Sequence, residues 1–284
     1  MRAVIVRAPG GPEQLEVAEV PVPRGEPGCL EIDVAATALN RADLLQRRGA
    51  YPPPAGASEL LGLECAGVVR AVSGDVGSFR VGDRVMALLA GGGYAERVVV
   101  PHGQALLVPS GLSLTQAAAI PEAFLTASEA LFTTGELGPG HWVLVHAAAG
   151  GVGSAAVQLA RAVGAHVIAC VGSAEKGEWV ARLGADVVVN RHDEDFAAAC
   201  LARTDGRGVD VVLDFVGASY AERHQRCLAE AGRWVVLGML GGSEARVDLG
   251  REAIRRRYLV DTGRSYIGGR PPKKKRRIKK ASLE

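Results

Sequence analysis

The stretch Trp142-Val143-Leu144-Val145-His146-Ala147-Ala148-Ala149-Gly150-Gly151-Val152-Gly153, running into Ser154-Ala155-Ala156-Val157-Gln158-Leu159-Ala160, decides the fold. An apolar, β-rich run of strand length enters a turn of small residues. A helix-forming segment with apolar residues at helical spacing follows at once. A dinucleotide pyrophosphate needs this order, because N–H groups at a helix N-terminus and the helix dipole favour negative charge. Gly150, Gly151 and Gly153 carry no Cβ, so the backbone can turn sharply and approach a ligand. A glycine turn by itself is a weak signal, and a tight connection with no ligand is its alternative.

The segments after the turn strengthen the ligand-binding alternative. Strands are expected at Trp142–His146, His166–Val171, Asp186–Val189, Val209–Asp214, Trp234–Gly238 and Tyr258–Asp261. Helices are expected between them at Gly153–Val163, Glu175–Leu183, Asp195–Ala202 and Tyr220–Cys227. This alternation implies a parallel, doubly wound sheet, and six strands complete a nucleotide-binding sheet.

Upstream, residues 1 to about 120 read as short strands and turns. Leu30–Val34 alternates like a half-buried strand, and 67–72, 81–87 and 96–101 are further candidates. Their close spacing suggests a β-rich, partly open barrel. Thr115–Ile120 begins a helical stretch with Ser113 or Thr115 as N-cap. Pro121 interrupts that stretch, and a helical pattern resumes from Phe124 to Phe132.

Composition bounds the function. No apolar run approaches the ~20 residues of a membrane span. The five cysteines are irregularly spaced without a Cys-x-x-Cys pair, which indicates neither a zinc knuckle nor a disulfide framework. Reduced thiols and a cytoplasmic location are therefore expected. The six histidines show no ligand spacing and read as structural or exposed. The net charge of +2 hides an asymmetry: Arg270–Glu284 holds eight Lys or Arg and one Glu, which is +7, so the remainder carries −5. A mildly acidic body argues against a nucleic-acid-binding fold.

The chain resembles the zinc-free medium-chain dehydrogenases/reductases of the quinone oxidoreductase branch. The residues that carry the likeness are Ala38–Leu44, Gly62-Leu63-Glu64, Gly82-Asp83-Arg84-Val85, Ala117–Ala123, and the Ala-x-x-Gly-x-x-Gly of Ala147, Gly150 and Gly153. They span residues 1 to about 262. The resemblance implies an α/β architecture: a GroES-like β-barrel domain (1–120) and a Rossmann dinucleotide-binding domain (121–262), with the active site in the cleft between them. A homodimer or tetramer is implied as well, the homodimer being expected, and so is hydride transfer from NADPH to a quinone or related conjugated carbonyl; an enoyl reductase and an NADPH-binding protein with little turnover are the alternatives. Asn40 and Leu63 stand where zinc relatives place metal ligands, so no metal is expected.

The resemblance also assigns residues. Ala147, Gly150, Gly151, Val152 and Gly153 are expected to take the pyrophosphate. The second strand ends in neutral Gly172 and Ser173 with Lys176 behind, where a carboxylate would select NAD; this favours NADPH. Lys176 as a plain surface residue is the alternative. Arg191 replaces the family's tyrosine and either binds the 2′-phosphate or points to solvent. Phe215-Val216 and Gly238-Met239 would flank the two riboses. Asn40, Thr126 and Tyr51 are the candidates near the nicotinamide and acceptor; Asn40 alternatively caps a helix beginning near Arg41, and Tyr51 alternatively packs its proline loop. Asp43 is read as a loop brace. No general acid or base is assigned.

The likeness ends after Asp261. Family members continue there with helices and a strand that completes the barrel domain, whereas here 263–284 is a basic, glycine- and proline-containing tail. The expectation is a truncated or alternatively read form with a disordered tail and impaired stability and turnover. The basic run resembles a nuclear localisation signal. A non-specific contact with nucleic acid or an anionic membrane, or a plain solvated tail, are the alternatives.

Overall fold

The computed structural model describes residues 1–248, Arg255 and Tyr258–Asp261, with backbone alone for Asp261. The basic tail, and the expected order or disorder of 263–284, lie outside the described residues.

The N-terminal half is antiparallel. Strands β1 (Arg2–Val6) and β2 (Leu15–Glu19) pair as a ribbon. Strands β3 (Cys29–Thr37), β4 (Glu64–Ser73), β5 (Arg84–Leu88), β6 (Arg97–Pro101) and β7 (Ala105–Leu107) form a five-stranded sheet in the order β6-β3-β4-β5-β7. Helix α1 (Arg41–Arg47) lies in the β3–β4 connection. The inner face is aliphatic: Leu30, Ile32, Cys65, Val69, Val85, Val98 and Val100 form one buried cluster. Gly67 is required where β4 crosses β3, because a Cβ there would lie 2.1 Å from the Asp33 carbonyl. Strands β2 and β7 carry little sequence signal. Strand β7 is three residues long, and Leu15, Val17 and two of the β7 side chains are exposed, so neither strand shows a buried apolar rhythm.

Two short helices carry the chain across. Helix α2 (Leu114–Ala117) is capped by Ser113, whose Oγ accepts the Gln116 N–H at 3.2 Å. Pro121 does not merely interrupt: it is the first residue of α3 (Pro121–Ser128). The first turn of a helix needs no N–H at that position, and the ring presets φ. A wide π turn over Glu129–Thr134 extends α3.

The C-terminal half is a parallel sheet. Strands β8 (Trp142–Val145), β9 (His166–Val171), β10 (Val187–Asn190), β11 (Val209–Asp214), β12 (Leu228–Val236) and β13 (Tyr258–Asp261) lie in the order β10-β9-β8-β11-β12-β13. Helices α4 (Gly151–Ala162), α5 (Ala174–Arg182), α6 (Phe196–Arg203) and α7 (Ala221–Cys227) are the connections. One face buries Ala127, Val143, Val145, Ala155, Val157, Val167 and Leu213; the other buries Leu144, Ile168, Phe196, Cys200 and Trp234. Strands buried on both faces read as continuous apolar runs, which is how β8, β9 and β11 were legible. Strand β12 was expected to start at Trp234 and end at Gly238. It starts at Leu228 and ends at Val236, because a register irregularity at Val209/Val211 and a positive φ at Ala231 let the segment after α7 join the sheet early. Gly238 then falls in the following turn.

Candidate active site

The strand order reverses between β8 and β11, so the loops leaving their C-terminal ends diverge and open a crevice there. Ala147 leaves β8 with φ +46, a conformation costly for a residue with a side chain. The Gly150 N–H then donates to the Ala147 carbonyl at 2.8 Å and closes the turn. Gly150 is the N-cap of α4, and the first bond of that helix runs from the Ser154 N–H to the Gly150 carbonyl at 2.8 Å. The N–H groups of Gly151, Val152 and Gly153 precede that bond, at the positive end of a 12-residue helix. Gly153 is demanded by packing, since a Cβ would sit 2.4 Å from the Ala147 carbonyl oxygen. Ala147, Gly150 and Gly151 are exposed, so the corner is open rather than plugged by side chains.

The end of β9 lies beside this corner. The Arg191 guanidinium covers Gly172: a Cβ on Gly172 would lie 3.1 Å from Nε. Ser173 caps α5, its Oγ accepting the Lys176 N–H at 3.4 Å, which leaves the hydroxyl proton available to a ligand. Arg191 and Lys176 are exposed. Glycine at 172, a hydroxyl and two cations thus share one strand end.

Across the crevice, the turn after β11 is braced from below. Asp214 is fully buried; its Oδ1 accepts the N–H groups of Val216 and Gly217 at 2.7 and 2.9 Å, and its Oδ2 accepts the Trp234 indole N–H at 2.8 Å. The turns carrying Phe215-Val216 and Gly238-Met239 are bonded to each other, Leu240 N–H to the Phe215 carbonyl and Gly241 N–H to the Val216 carbonyl. Beneath them His146 and His224 approach with Nε2 atoms 2.9 Å apart, fully buried among Phe196, Tyr220 and Trp234. Burial holds the His146 imidazole far below its ordinary range and brings His224 to about 4, against the pull of Asp214. Both rings are therefore neutral near pH 7, and the 3.5 Å approach of His224 to Asp214 is not an ion pair.

On the barrel side, Asn40 is the N-cap residue of α1 and shares a capping box with Asp43, while its amide nitrogen is turned to Glu64. Its Nδ2 donates to Glu64 Oε1 at 2.7 Å, while Asp43 Oδ2 accepts the Asn40 N–H at 2.7 Å. Asp43 also accepts the Gly62 N–H at 3.0 Å and the Tyr94 hydroxyl at 3.0 Å, which makes it a loop brace. Glu64 is 1% exposed, and its second oxygen accepts the Glu122 N–H at 2.9 Å. Thr126 lies one turn beyond Glu122 on α3. Tyr51 is half-buried in the loop that follows α1.

The structure thus gathers Asn40 with Glu64 and Glu122, and groups Ala147–Gly153, Gly172–Lys176 with Arg191, and Phe215–Val216 with Gly238–Met239 around the strand ends. The sequence reading did not single out the Glu64 and Glu122 side chains, although both lie inside the motifs that carry the resemblance; their burial and their approach to each other arise only in the fold. Among the described residues, no group of three or more His, Cys, Asp or Glu is arranged to hold a metal ion. No described helix is long and apolar enough to cross a membrane.

Comparison with known proteins agrees with this architecture. The family described as "Alcohol dehydrogenase GroES-like domain" matches residues 26–110, and that described as "Zinc-binding dehydrogenase" matches 151–274. The chain is 37% identical over 243 residues to the "Synaptic vesicle membrane protein VAT-1 homolog" of Homo sapiens, covering 84% of this chain and 61% of that protein. It is 41% identical over 238 residues to the "Pikromycin polyketide synthase component PikAII" of Streptomyces venezuelae, covering 82% of this chain and 6% of that one. It therefore spans about three fifths of the first and a small fraction of the second. Among solved structures, an "NAD-dependent alcohol dehydrogenase" aligns with a TM-score of 0.83 at 36% identity, over 92% of this chain and 84% of that one. The Escherichia coli quinone oxidoreductase complexed with NADPH aligns with a TM-score of 0.81 at 34% identity, over 92% and 80%. The CurK enoyl reductase aligns with 0.81 at 32% identity, over 92% and 81%.

Proposed function

We infer the function from one premise: the chain belongs to the medium-chain dehydrogenase/reductase superfamily and is an oxidoreductase of that family. Within it, the reading best supported is an NADPH-dependent reductase of quinones or related conjugated carbonyls. A bound nicotinamide dinucleotide supplies the hydride. The observation that carries the reading is the open glycine corner at the N-terminus of α4, with Arg191 laid over Gly172 on the neighbouring strand end.

The chain's residues divide the work. N–H groups of Gly151, Val152 and Gly153 receive the pyrophosphate, helped by the dipole of α4. Ser173, Lys176 and Arg191 hold a 2′-phosphate; no carboxylate stands at Gly172 or Ser173 to prefer a free 2′-hydroxyl. Phe215, Val216, Gly238 and Met239 flank the riboses, kept in place by Asp214 below. Asn40, Thr126 and Tyr51 line the acceptor side. A good electron acceptor needs little beyond alignment and desolvation there. The proposed domain boundary stays at residue 120: Ala117 and Ala118 pack with Ala66 and Met86 of the barrel half, Ala123 and Ala127 with the parallel sheet. A homodimer in the cytoplasm, or in the nucleus through the basic tail, is the proposed setting.

A second reading, an enoyl reductase, is favoured by the likeness to CurK. NADPH oxidation measured with an ortho-quinone, a para-quinone and an enal separates the two: quinone turnover supports the first, enal turnover alone the second. A protein whose melting temperature moves with neither NADPH nor NADH would sink both.

A further inference from the structure

We propose that Glu122 is the catalytic acid of the reduction, giving its proton to the oxygen of the acceptor as hydride arrives. This rests on the reductase reading above.

The placement comes from three contacts. Glu122 is the second residue of α3, and its N–H is held by Glu64, which also holds Asn40. The first turn of α3 is thereby pinned to the barrel side of the site. The next residue, Ala123, is buried, and its Cβ lies 4.0 Å from where a Cβ on Gly151 would stand. The same turn therefore abuts the dinucleotide corner. Glu122 and Thr126, four apart, share one face of the helix. Glu122 thus lies where the acceptor-side polar groups meet the corner that receives the cofactor.

Hydrogen bonding sets Glu122 apart from the other acids of the cluster. Asp43 accepts three donors and Glu64 two; burial raises Glu64 as well, but its two donors pull it back. Among the described residues no donor reaches the Glu122 carboxyl. Burial, reinforced by the charges of Glu64 and Asp43, pushes Glu122 up to about 7. A half-buried carboxylic acid of that strength is still substantially protonated at neutral pH and ionises readily, which is what a general acid requires.

The step balances. A reduced nicotinamide dinucleotide held at the glycine corner would supply the hydride, one proton with two electrons, and would be oxidised by its loss. The Glu122 O–H bond breaks and a new O–H bond forms on the acceptor oxygen, which would otherwise carry the negative charge. The electron pair of the broken bond remains on Glu122 as a carboxylate. Solvent returns the proton, since Glu122 is only partly buried.

The test uses the full chain and its Glu122→Gln and Glu122→Asp variants. In the cofactor-free wild type, ¹³C-carboxyl NMR is expected to show a glutamate titrating near pH 7, absent from Glu122→Gln. NADPH affinity by fluorescence should change less than about threefold in either variant. Quinone turnover should fall about 100-fold in Glu122→Gln; wild-type kcat should decline as pH rises through 7, the variant should lose that limb, and Glu122→Asp should recover part of both. Turnover within threefold of wild type with the same pH limb in Glu122→Gln, or a Glu122 carboxyl titrating in the ordinary range, overturns the assignment while leaving the reductase reading intact. A wild type that binds NADPH yet reduces no acceptor overturns both. Should Glu122→Gln not fold, the wild-type titration and Glu122→Asp decide.

Discussion

At the scale of single residues, buried acids and imidazoles set how stability follows pH. Glu122 is raised to about 7 by burial and by Glu64 and Asp43. Between its ordinary range and 7 the folded chain binds more protons there than the unfolded one, so its contribution is full below the unfolded value and lost as pH rises through 7. Glu122→Gln is expected to raise the melting temperature at pH 8 by the equivalent of roughly 1–2 kcal/mol, and to leave it unchanged near pH 4; parallel thermal scans would check both. His224 runs the other way. Burial lowers it to about 4, so its contribution is present above 6.5 and lost as pH falls toward 4. Asp214 matters more than either. Asp214→Ala strands two backbone N–H groups and a buried indole N–H, which should cost about 3 kcal/mol. The turn at 215–217 would loosen with it, and NADPH affinity by fluorescence titration should weaken about tenfold.

At the scale of elements, the turns are specified by sterics and the helices by their first residues. Gly153 lets α4 lie against the β8 exit, where even a methyl group would meet the Ala147 carbonyl at 2.4 Å. Gly153→Ala should therefore destabilise by about 1–3 kcal/mol and abolish the melting shift given by NADPH, because the corner must open to admit the added atom. Arg191→Ala keeps the fold, since Arg191 is exposed, yet removes the guanidinium over Gly172. Its NADPH dissociation constant should rise about tenfold, the cost of losing a charge-assisted contact, while NADH binding stays the same; calorimetry with both nucleotides tests this. The cap of α2 was readable before any coordinates, because Ser113 acts through the backbone next to it; the start of α3 was not, since Pro121 reads as an interruption and is in fact its first residue. Nor was the start of β12: Leu228 pairs with Val209 and the register resumes only at Val211 with Arg233, so the intervening residues bulge from β12 with no local apolar rhythm to mark them.

At the scale of the whole molecule, Glu64 joins the two halves, accepting from Asn40 on one side and from the Glu122 backbone on the other. Glu64→Ala should lower the melting temperature and speed hydrogen exchange at the Glu122 amide, while amides in the centre of β8 and β9 keep their protection. The sequence by itself determined most of the architecture. Apolar runs buried on both faces marked β8, β9 and β11, and the chain order of strands and helices marked the parallel sheet, because periodicity and chain connectivity are local properties. It also marked the glycine corner, whose requirement is the absence of side chains. Only the tertiary structure decided what the carboxylates and histidines do. Glu64 and Glu122 stand 58 residues apart, and His146 and His224 stand 78 apart. Whether an acid is charged or an imidazole neutral depends on the donors, charges and water around it, and those arrive from distant parts of the chain only when it folds.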